Sequence, residues 1–439
     1  MKKLSTVLYI LLVLVIALSF TACGSTGSTA ESSTGAQPAE TSAETSAGTS
    51  AANGPTALKA MVYSEDNNRI TLANDWYKAN VKSAFPDYDV QFDMPGKGYD
   101  DKLKILNASG ELPDVFWGSS IIVPTGNALD FTPYITKDGF ADSFQNKAAL
   151  MKFPDGRIYS ISSGTDSYFT SFLGYNKTIF DKVGVKVPTN FNELVDVCRK
   201  LKAAGYIPIS TQGGAIQNWM IQDLTINQDP QGYQNVIDGK AKLTDAPFLN
   251  AAKEIRQMVD EGFFPKDLAV IEYQASSDLF SQGKAAMIYC PLWQNESFKD
   301  ANKDMDWIFL TSFDKSPKYL HGWGTAFNGF MVSSKGKHVD ESVKLAEWLV
   351  QQDAKFFSSK QGFAVAIQGN PITAEVMPVV QSVIDLYNNP AVTTVPSFIT
   401  NSMSTAGQSE EATAVGKLIT GQMTPEQFCA EFQKDYEMK

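Results

Sequence analysis

The sequence offers few side chains that could bind a metal or act as a nucleophile with its base. The histidines are His321 and His338, and the cysteines are Cys23, Cys198, Cys290 and Cys429. Zinc sites usually draw on closely spaced Cys and His ligands, and a histidine triad needs a histidine beside its nucleophile. The spacing here therefore argues against a zinc site, a histidine triad and a disulfide framework, and predicts no metal and no cofactor.

Glycine-rich phosphate loops are missing as well. No Gly-Lys pair is followed by Ser or Thr, the G-x-S-x-G elbow does not occur, and Gly322-Trp-Gly324 lacks the third glycine of a dinucleotide loop. Carboxylate pairs remain possible, because an acidic glycosidase needs only two of them. A secreted glycosidase therefore stays open as an alternative function.

The remaining side chains that could bind a ligand are tryptophans and amides. Four tryptophans stand beside Gly, Asn, Gln or Ser in loop or strand-end contexts: Trp117, Trp219, Trp293 and Trp323. Ligands bind at such strand ends in open α/β sheets. Aromatic planes and planar amides suit a ligand that offers flat apolar faces beside hydrogen-bonding groups. The other three, Trp76, Trp307 and Trp348, lie in amphipathic or strand patterns that predict core packing.

Length and composition indicate a large folded body. The chain has 439 residues, 43% of them hydrophobic, with 27 Phe, 16 Tyr and 7 Trp, which is enough for two or three compact units. Its net charge is −11, and no basic face or tail is apparent. Nucleic acid is therefore excluded as a partner.

The N-terminus indicates export. Lys2 and Lys3 precede an apolar run over residues 7–20, which is shorter than the roughly 20 residues that span a bilayer. The run and the small residues before Cys23 resemble the signal peptide and lipobox of bacterial lipoproteins, although Phe20 stands where Leu is usual. This resemblance implies a signal peptide over 1–22 and an acylated Cys23. An ordinary secretory signal with an incidental cysteine is the alternative.

A tether and then a folded body follow. Residues 23–56 are nearly all Ser, Thr, Gly, Ala and Glu, a composition that cannot bury enough apolar surface to fold. Beyond them, 57–63, 88–92 and 113–118 have strand composition, and 69–84 and 101–109 have helical spacing. This alternation predicts a parallel sheet wrapped by helices.

A second α/β series begins near residue 158. Short strands are predicted over 158–162 and 168–175, followed by the clearest helix, in which Asn190 and Glu193 form a capping box and Cys198 lies on the apolar stripe. Further helices are predicted over 251–261 and 341–358, and strands over 285–289 and 327–332.

Five segments in order resemble the family 1 extracellular solute-binding proteins of bacterial ABC importers, the carbohydrate class that includes the maltodextrin-binding protein. They are 112–117 (LPDVFW), 154–160 with 174–182, 187–194 with 201–209, 280–287 (FSQGKAAM) with Trp293, and 423–428 (MTPEQF). The resemblance implies a two-lobe α/β fold, periplasmic-binding-protein-like (type II), with hinge strands and a ligand cleft between the lobes. Lobe 1 is expected over 57–166 and 330–385, and lobe 2 over 167–329 and 386–439.

The resemblance also implies a set of site residues. Trp117 and Trp293 match cleft positions of the family, as do Glu65 and Asp66 after the first strand and Asp166 and Tyr168 at the first hinge crossing. Asn218, Gln294 and Asn295 flank the tryptophans, and Ser119 lies near Trp117. Solvated turns and ordinary loop polar groups are the alternative interpretation of these polar residues.

The resulting expectation is a monomeric, lipid-anchored receptor on the extracellular face of a bacterial membrane. It binds a mono- or oligosaccharide, delivers it to the permease subunits of an ABC transporter, and has no catalytic activity. A receptor for a peptide or carboxylate would more often show an Arg or Lys clamp. The arginines are Arg69, Arg157, Arg199 and Arg256, and none is expected in an aromatic-rich loop.

Overall fold

The computed structural model describes one compact unit, Gly54–Lys439, with gaps. Its described residues are 55–64, 67–96, 98–119, 121–144, 150, 152–153, 155–164, 170–298, 304–322, 329–396, 399, 403 and 405–437. The predicted signal peptide, Cys23 and tether lie outside these residues. So do five predicted ligand residues, Glu65, Asp66, Asp166, Tyr168 and Trp323.

Ten strands occur in the described residues. They are β1 (Thr56–Met61), β2 (Tyr88–Asp93), β3 (Val115–Trp117), β4 (Ser171–Asn176), β5 (Ile207–Ser210), β6 (Ala285–Pro291), β7 (Met305–Ile308), β8 (Tyr319–Gly322), β9 (Phe330–Val332) and β10 (Thr393–Pro396). They form two four-stranded sheets and the parallel pair β8–β10.

Helices cover the sheets. They are α1 (Asn67–Thr71), α2 (Lys78–Ala84), α3 (Tyr99–Ser109), α4 (Thr132–Lys137), α5 (Lys177–Val183), α6 (Phe191–Ala203), α7 (Ile221–Gln228), α8 (Gly232–Ile237), α9 (Ala246–Asp260), α10 (Tyr273–Ser281), α11 (Val339–Phe356), α12 (Pro378–Asn388), α13 (Thr405–Thr420) and α14 (Pro425–Glu437). Leu72–Tyr77, Ile216–Met220 and Phe357–Gln361 are π-helical, and short 3₁₀ turns include Leu292–Ser297.

Lobe 1 is built on the sheet β2-β1-β3-β9. The parallel arrangement predicted for its first three strands is confirmed, because β1 pairs in parallel with both β2 and β3. Strand β9 comes from much later in the chain and pairs antiparallel with β3, so that Trp117 lies opposite Phe330. The carboxyl end of β3 thus receives an aromatic neighbour from a distant part of the sequence.

Lobe 2 is built on the mixed sheet β5-β6-β4-β7, in which β5 and β6 are parallel and β4 is antiparallel to β6. The predicted helix is confirmed as α6, with Cys198 buried on its apolar side. The Asn190 side chain accepts from the backbone N–H of Glu193, while the Glu193 carboxylate accepts from Thr189. The backbone N–H that the Glu193 carboxylate binds therefore belongs to Thr189, one residue before the Asn190 N-cap.

The lobe 2 sheet is buried on both faces. Leu173 packs into the lobe 2 core, whereas its neighbour Phe172 packs into the core that also contains Val115 and Phe330 of lobe 1. This follows from the alternation of side chains along a strand. Trp76, Trp307 and Trp348 are partly buried and pack against this second core, which confirms the packing role predicted for them.

Two chain segments that are far apart in sequence run side by side next to the lobe 1 sheet. Phe330 N donates to Ile161 O at 2.7 Å, and Ile161 N donates back to Phe330 O at 3.0 Å. Ile161 therefore makes an isolated bridge, and the strand predicted over 158–162 does not form because no longer pairing is available. Gly329 lies so close that an added Cβ would stand 2.3 Å from Ile161 O.

In the described part of the chain, no helix is both long and apolar enough to cross a membrane. The same residues hold no group of three or more His, Cys, Asp or Glu side chains that could bind a metal ion. Cys198, Cys290 and Cys429 are buried free thiols.

Candidate functional site

Two predicted tryptophans meet at one edge of the lobe 2 sheet. Trp219 lies on the π-helical turn Ile216–Met220, which follows β5, and Trp293 lies on the 3₁₀ turn that follows β6. Because β5 and β6 are parallel neighbours, the turns after them lie at the same edge. The two indole rings are nearly perpendicular, at 82°, with centroids 5.2 Å apart. We call these two side chains the indole pair.

The two indoles differ in exposure. Trp219 is 6% exposed and belongs to the lobe 2 core, whereas Trp293 is partly exposed and packs against both core clusters. A π-helical turn inserts an extra residue into the helix and often occurs at functional sites. Here that turn carries Trp219. The pair therefore joins a buried ring to a partly exposed ring that packs against both cores.

The helical stretch after Trp219 and the strand before Trp293 also contribute to a buried polar triangle. Tyr289 OH donates to Asp223 Oδ2 at 2.6 Å, Ser171 Oγ donates to the same oxygen at 3.0 Å, and the two hydroxyl oxygens are 2.7 Å apart. All three side chains are at most 1% exposed. Burial and the adjacent Asp223 carboxylate raise the pKa of Tyr289 well above its ordinary value, so its hydroxyl stays protonated.

The amides predicted beside these tryptophans take different positions. Asn218 is partly exposed next to Trp219. Gln294 is buried, and its Nε2 donates to Ser276 Oγ at 3.0 Å and Ser277 Oγ at 2.9 Å, which fastens the turn to α10. Asn295 is also buried and donates to Leu292 O. The structure therefore gives Gln294 and Asn295 contacts within the protein, and we leave them out of the proposed ligand set.

On lobe 1, Trp117 has an unexpected neighbour. The Arg69 guanidinium carbon lies 4.4 Å from the centroid of the Trp117 ring and 4.8 Å from that of Phe357. The ring of Phe330 meets Trp117 edge-on at 5.2 Å. Arg69 lies on helix α1 and not in a loop, and its aromatic surroundings, which the sequence did not indicate, form because α11 and the turn after it bring Phe357 next to it.

Arg69 is paired with a buried carboxylate. Its Nη1 lies 3.4 Å from Asp353 Oδ2, and Tyr77 OH donates to the other oxygen of Asp353. Burial raises the pKa of Asp353 to about 6, although the Arg69 charge and the Tyr77 hydrogen bond oppose that shift. Trp117 is thus held beside an ion pair that joins two helical segments far apart in sequence, 67–84 and Val339–Phe356.

Ser119 contributes to local structure. Its side chain is 8% exposed, and its Oγ donates to Asp100 Oδ1 in the first turn of α3 at 3.1 Å. A surface groove of about 410 Å³ lies elsewhere, between α12 and the loop after β7, and its lining residues include Lys315, Gln381 and Asp385. None of the predicted ligand residues that the structure describes lines that groove.

Sequence reasoning missed Arg69, Asp223 and Tyr289. Asp223 follows Trp219 by four residues in a helical stretch, a spacing that places two side chains on one face of a helix, so that signal was available. The positions of Arg69 and Tyr289 depend on long-range packing. No local pattern marks them.

Curated relatives match parts of the chain. A protein of Brucella abortus (strain 2308), named as a binding protein, is 24% identical over 233 residues, 52% of this chain and 54% of its own length. A protein of Brucella suis biovar 1 (strain 1330), named "Probable sugar-binding periplasmic protein", is 26% identical over 162 residues, 36% of this chain and 37% of its own. The chain thus spans about half of the first relative, and less of the second.

Solved structures show the same architecture over nearly the whole body. The structure of a chitin oligosaccharide binding protein superposes with a TM-score of 0.72 at 20% identity, covering 87% of this chain and 98% of that one. At that identity the likeness concerns the fold alone. It confirms the predicted two-lobe, periplasmic-binding-protein-like fold class.

The family model described as "Bacterial extracellular solute-binding protein" matches residues 71–356, more than half of the chain. The match includes β2 to β9 and both members of the indole pair. That family consists of binding proteins and not of enzymes, which confirms the prediction of a non-enzymatic chain at the level of the family. With this match and the two-lobe architecture together, the chain belongs to the bacterial extracellular solute-binding proteins.

Proposed function

We propose that the protein is a lipid-anchored receptor that binds a mono- or oligosaccharide between its lobes and delivers it to an ABC permease. The observation that carries this proposal is the indole pair at the carboxyl edge of the lobe 2 sheet. A partly exposed indole braced by a buried one offers a rigid apolar plane, and such planes stack on the C–H faces of sugar rings. The names of the relative from Brucella suis and of the chitin oligosaccharide binding protein support the same solute class.

We propose that the ligand contacts Trp293, Asn218 and Trp117, while Trp219 supports Trp293 from within the lobe 2 core. All four side chains lie at the carboxyl edges of the two sheets or on the turns that follow them, where open α/β sheets bind ligands. Glu65, Asp66, Asp166, Tyr168 and Trp323, which lie outside the described residues, remain predicted members of the set. Ser119 is a weaker member, because its hydroxyl is already bonded to Asp100.

A thermal-shift screen followed by calorimetry tests the solute class. The panel contains galactose, maltotriose, xylotriose, chitotriose and a galacturonic acid trimer, the last because Arg69 lies against Trp117. A sugar at a hundred times its dissociation constant stabilises the folded state by about 2.7 kcal/mol and raises Tm accordingly. If no saccharide shifts Tm while a peptide or carboxylate does, the sugar proposal is wrong.

The same experiment separates a receptor from a glycosidase. The sugar recovered after prolonged incubation is analysed by chromatography, and a receptor returns it unchanged. Shortened or hydrolysed oligosaccharide would favour the glycosidase alternative, which needs a carboxylate pair about 5–9.5 Å apart across the bond.

The anchor is tested in cells. We expect Cys23→Ala to release the protein into the medium or to leave it as an unprocessed precursor, whereas the parent stays with the membrane fraction. A Cys429→Ala variant is the matched control, since Cys429 is buried in the folded body. Membrane retention of a processed Cys23→Ala protein would contradict lipid anchoring.

A further inference from the structure

We infer that Asp223 is a positioning residue for the indole pair, holding Trp219 and Trp293 in their mutual orientation through its contacts with Tyr289 and Ser171. The inference rests on the proposed function only in so far as the pair is taken to bind the solute. The bond itself and its effect on the two rings can be tested without any ligand.

The inference depends on which chain segments the hydrogen bond between Asp223 and Tyr289 joins. Asp223 lies four residues after Trp219 along a helical stretch, and Tyr289 lies four residues before Trp293 along the chain that leaves β6. Their hydrogen bond, at 2.6 Å, therefore ties together the two segments that carry the two indoles. A shift of either segment relative to the other must strain this bond and also change the packing of the pair.

Ser171 adds a third attachment. It is the first residue of β4 and lies opposite Pro291, the last residue of β6, so it belongs to the same edge of the sheet. Its Oγ is 3.0 Å from Asp223 Oδ2 and 2.7 Å from Tyr289 OH. The carboxylate is thus fixed against two central strands, and a helix held at two strands cannot rotate easily about its axis.

Burying a carboxylate in this place is costly. Asp223 is 1% exposed, and a buried charge is destabilising unless hydrogen bonds replace its lost water. An apolar side chain of similar size would fill the same space without that penalty. It would fix how closely the helix packs on the sheet, but not how the helix is oriented about its axis. Two short hydroxyl contacts to one carboxylate oxygen define the direction. The arrangement is suited to setting the orientation of the helix that carries Trp219.

The charge of Asp223 also acts on a tyrosine of helix α12. This charge contributes to raising the pKa of Tyr387 on α12, after the larger effect of burial. Helix α12 packs against the core that contains the lobe 1 strands.

Circular dichroism of the ligand-free body tests the inference. Closely spaced indoles couple their electronic transitions, and the dichroism of the pair is obtained in each background as the difference between spectra with and without Trp219→Phe. We expect Asp223→Asn and Tyr289→Phe to lose most of this difference signal. Ser210→Ala is the matched control, because Ser210 makes a buried hydrogen bond of 2.7 Å to Ser276 O in the same lobe without touching the triangle.

The outcomes are decisive in either direction. An unchanged pair signal in Tyr289→Phe overturns the inference, even if Asp223→Asn fails to fold. An equal loss in Ser210→Ala also overturns it, because general loosening of the lobe would then explain the effect. With a saccharide from the screen as the probe, Asp223→Asn should weaken affinity by about tenfold and Ser210→Ala by less than about twofold. If the parent binds no sugar, the proposed function fails while the dichroism still decides the role of Asp223.

Discussion

Arg69 lies over the ring of Trp117, with its guanidinium carbon 4.4 Å from the centroid of the indole ring. The contact joins the helix after β1 to the carboxyl end of β3, and Asp353 on α11 supplies the counter-charge. A cation over an indole is worth about 0.5–2 kcal/mol, depending on how far both groups are desolvated. The arrangement braces Trp117 while occupying space over its ring.

Arg69→Met should destabilise the body because it leaves the Asp353 carboxylate buried without a counter-charge. Removing one partner of a buried pair typically costs about 3–5 kcal/mol of unfolding free energy. Urea denaturation at pH 7.5 measures this loss. In the double variant Arg69→Met with Asp353→Asn, we expect most of the lost unfolding free energy to be recovered, since no buried charge is then left.

The loss of stability caused by Arg69→Met should also be smaller at acidic pH. Burial raises the pKa of Asp353 to about 6, above its ordinary 3.8, so the folded state favours the protonated carboxyl and this group stabilises the fold less as pH rises through 6. Without Arg69 the carboxyl is still harder to ionise, and at pH 5 it is neutral. A penalty as large at pH 5 as at pH 7.5 would contradict the assignment of the cost to the unpaired charge.

Glu411 predicts a second pH dependence. It is 3% exposed on α13, and burial raises its pKa to about 7; the hydrogen bond from Gln217 opposes this shift and the charge of Asp435 adds to it. The folded protein therefore holds a proton that the unfolded chain releases near 4.5, and the stabilisation is lost as pH rises through about 7. Glu411→Gln removes this cost of ionisation.

We expect the Glu411→Gln variant to gain stability over the parent as pH rises from 5 to 8, by about 2 kcal/mol at the upper end. Denaturant titrations of both proteins at each pH provide the comparison. Glu431→Gln, an exposed carboxylate on α14 paired with Lys434, serves as the control and should show little difference at any of these pH values. A parallel pH profile for parent and Glu411→Gln would show that Glu411 does not titrate in this range.

Trp293→Ala and Trp219→Ala should separate binding from folding. Trp293 is partly exposed, so its replacement should leave the body folded while the affinity for the saccharide falls by about tenfold or more. Trp219 is 6% exposed in the lobe 2 core, and its truncation should cost about 3–5 kcal/mol of unfolding free energy. Calorimetry and urea denaturation give the two quantities. Unchanged affinity in a folded Trp293→Ala protein would remove Trp293 from the site.

Gly329→Ala should strain the close approach between the chain segments of Gly329 and Ile161. The new Cβ would stand 2.3 Å from Ile161 O, which is backbone and cannot rotate away. Overpacking of this kind costs about 1–3 kcal/mol, visible as a lower Tm. Gly416→Ala on α13 is the matched control: nothing lies within 4 Å of its added Cβ, and a helical glycine replaced by alanine should gain about 0.5–1 kcal/mol. Equal Tm values for the two variants would show that the close approach at Gly329 relaxes freely.

Helix α6 illustrates what the sequence determined by itself. Its N-terminal cap, its apolar stripe with Cys198 and its end before Gly205 all depend on interactions within a few residues, which a linear pattern contains. The same is true of the first three strands, and the order of the family motifs was enough to indicate two lobes. The depleted histidine and cysteine content likewise excluded whole classes of chemistry without any coordinates.

The surroundings of the candidate residues were decided only by the tertiary structure. Trp219 and Trp293 meet because β5 and β6 pair, Arg69 reaches Trp117 because α11 supplies Asp353, and Gln294 turns inward because α10 offers two serine hydroxyls. A loop position does not state which way its side chain points, since that direction depends on partners far away in sequence. Local patterns therefore located the candidate loops, whereas long-range packing determined which of their side chains are buried within the protein and which stay partly exposed.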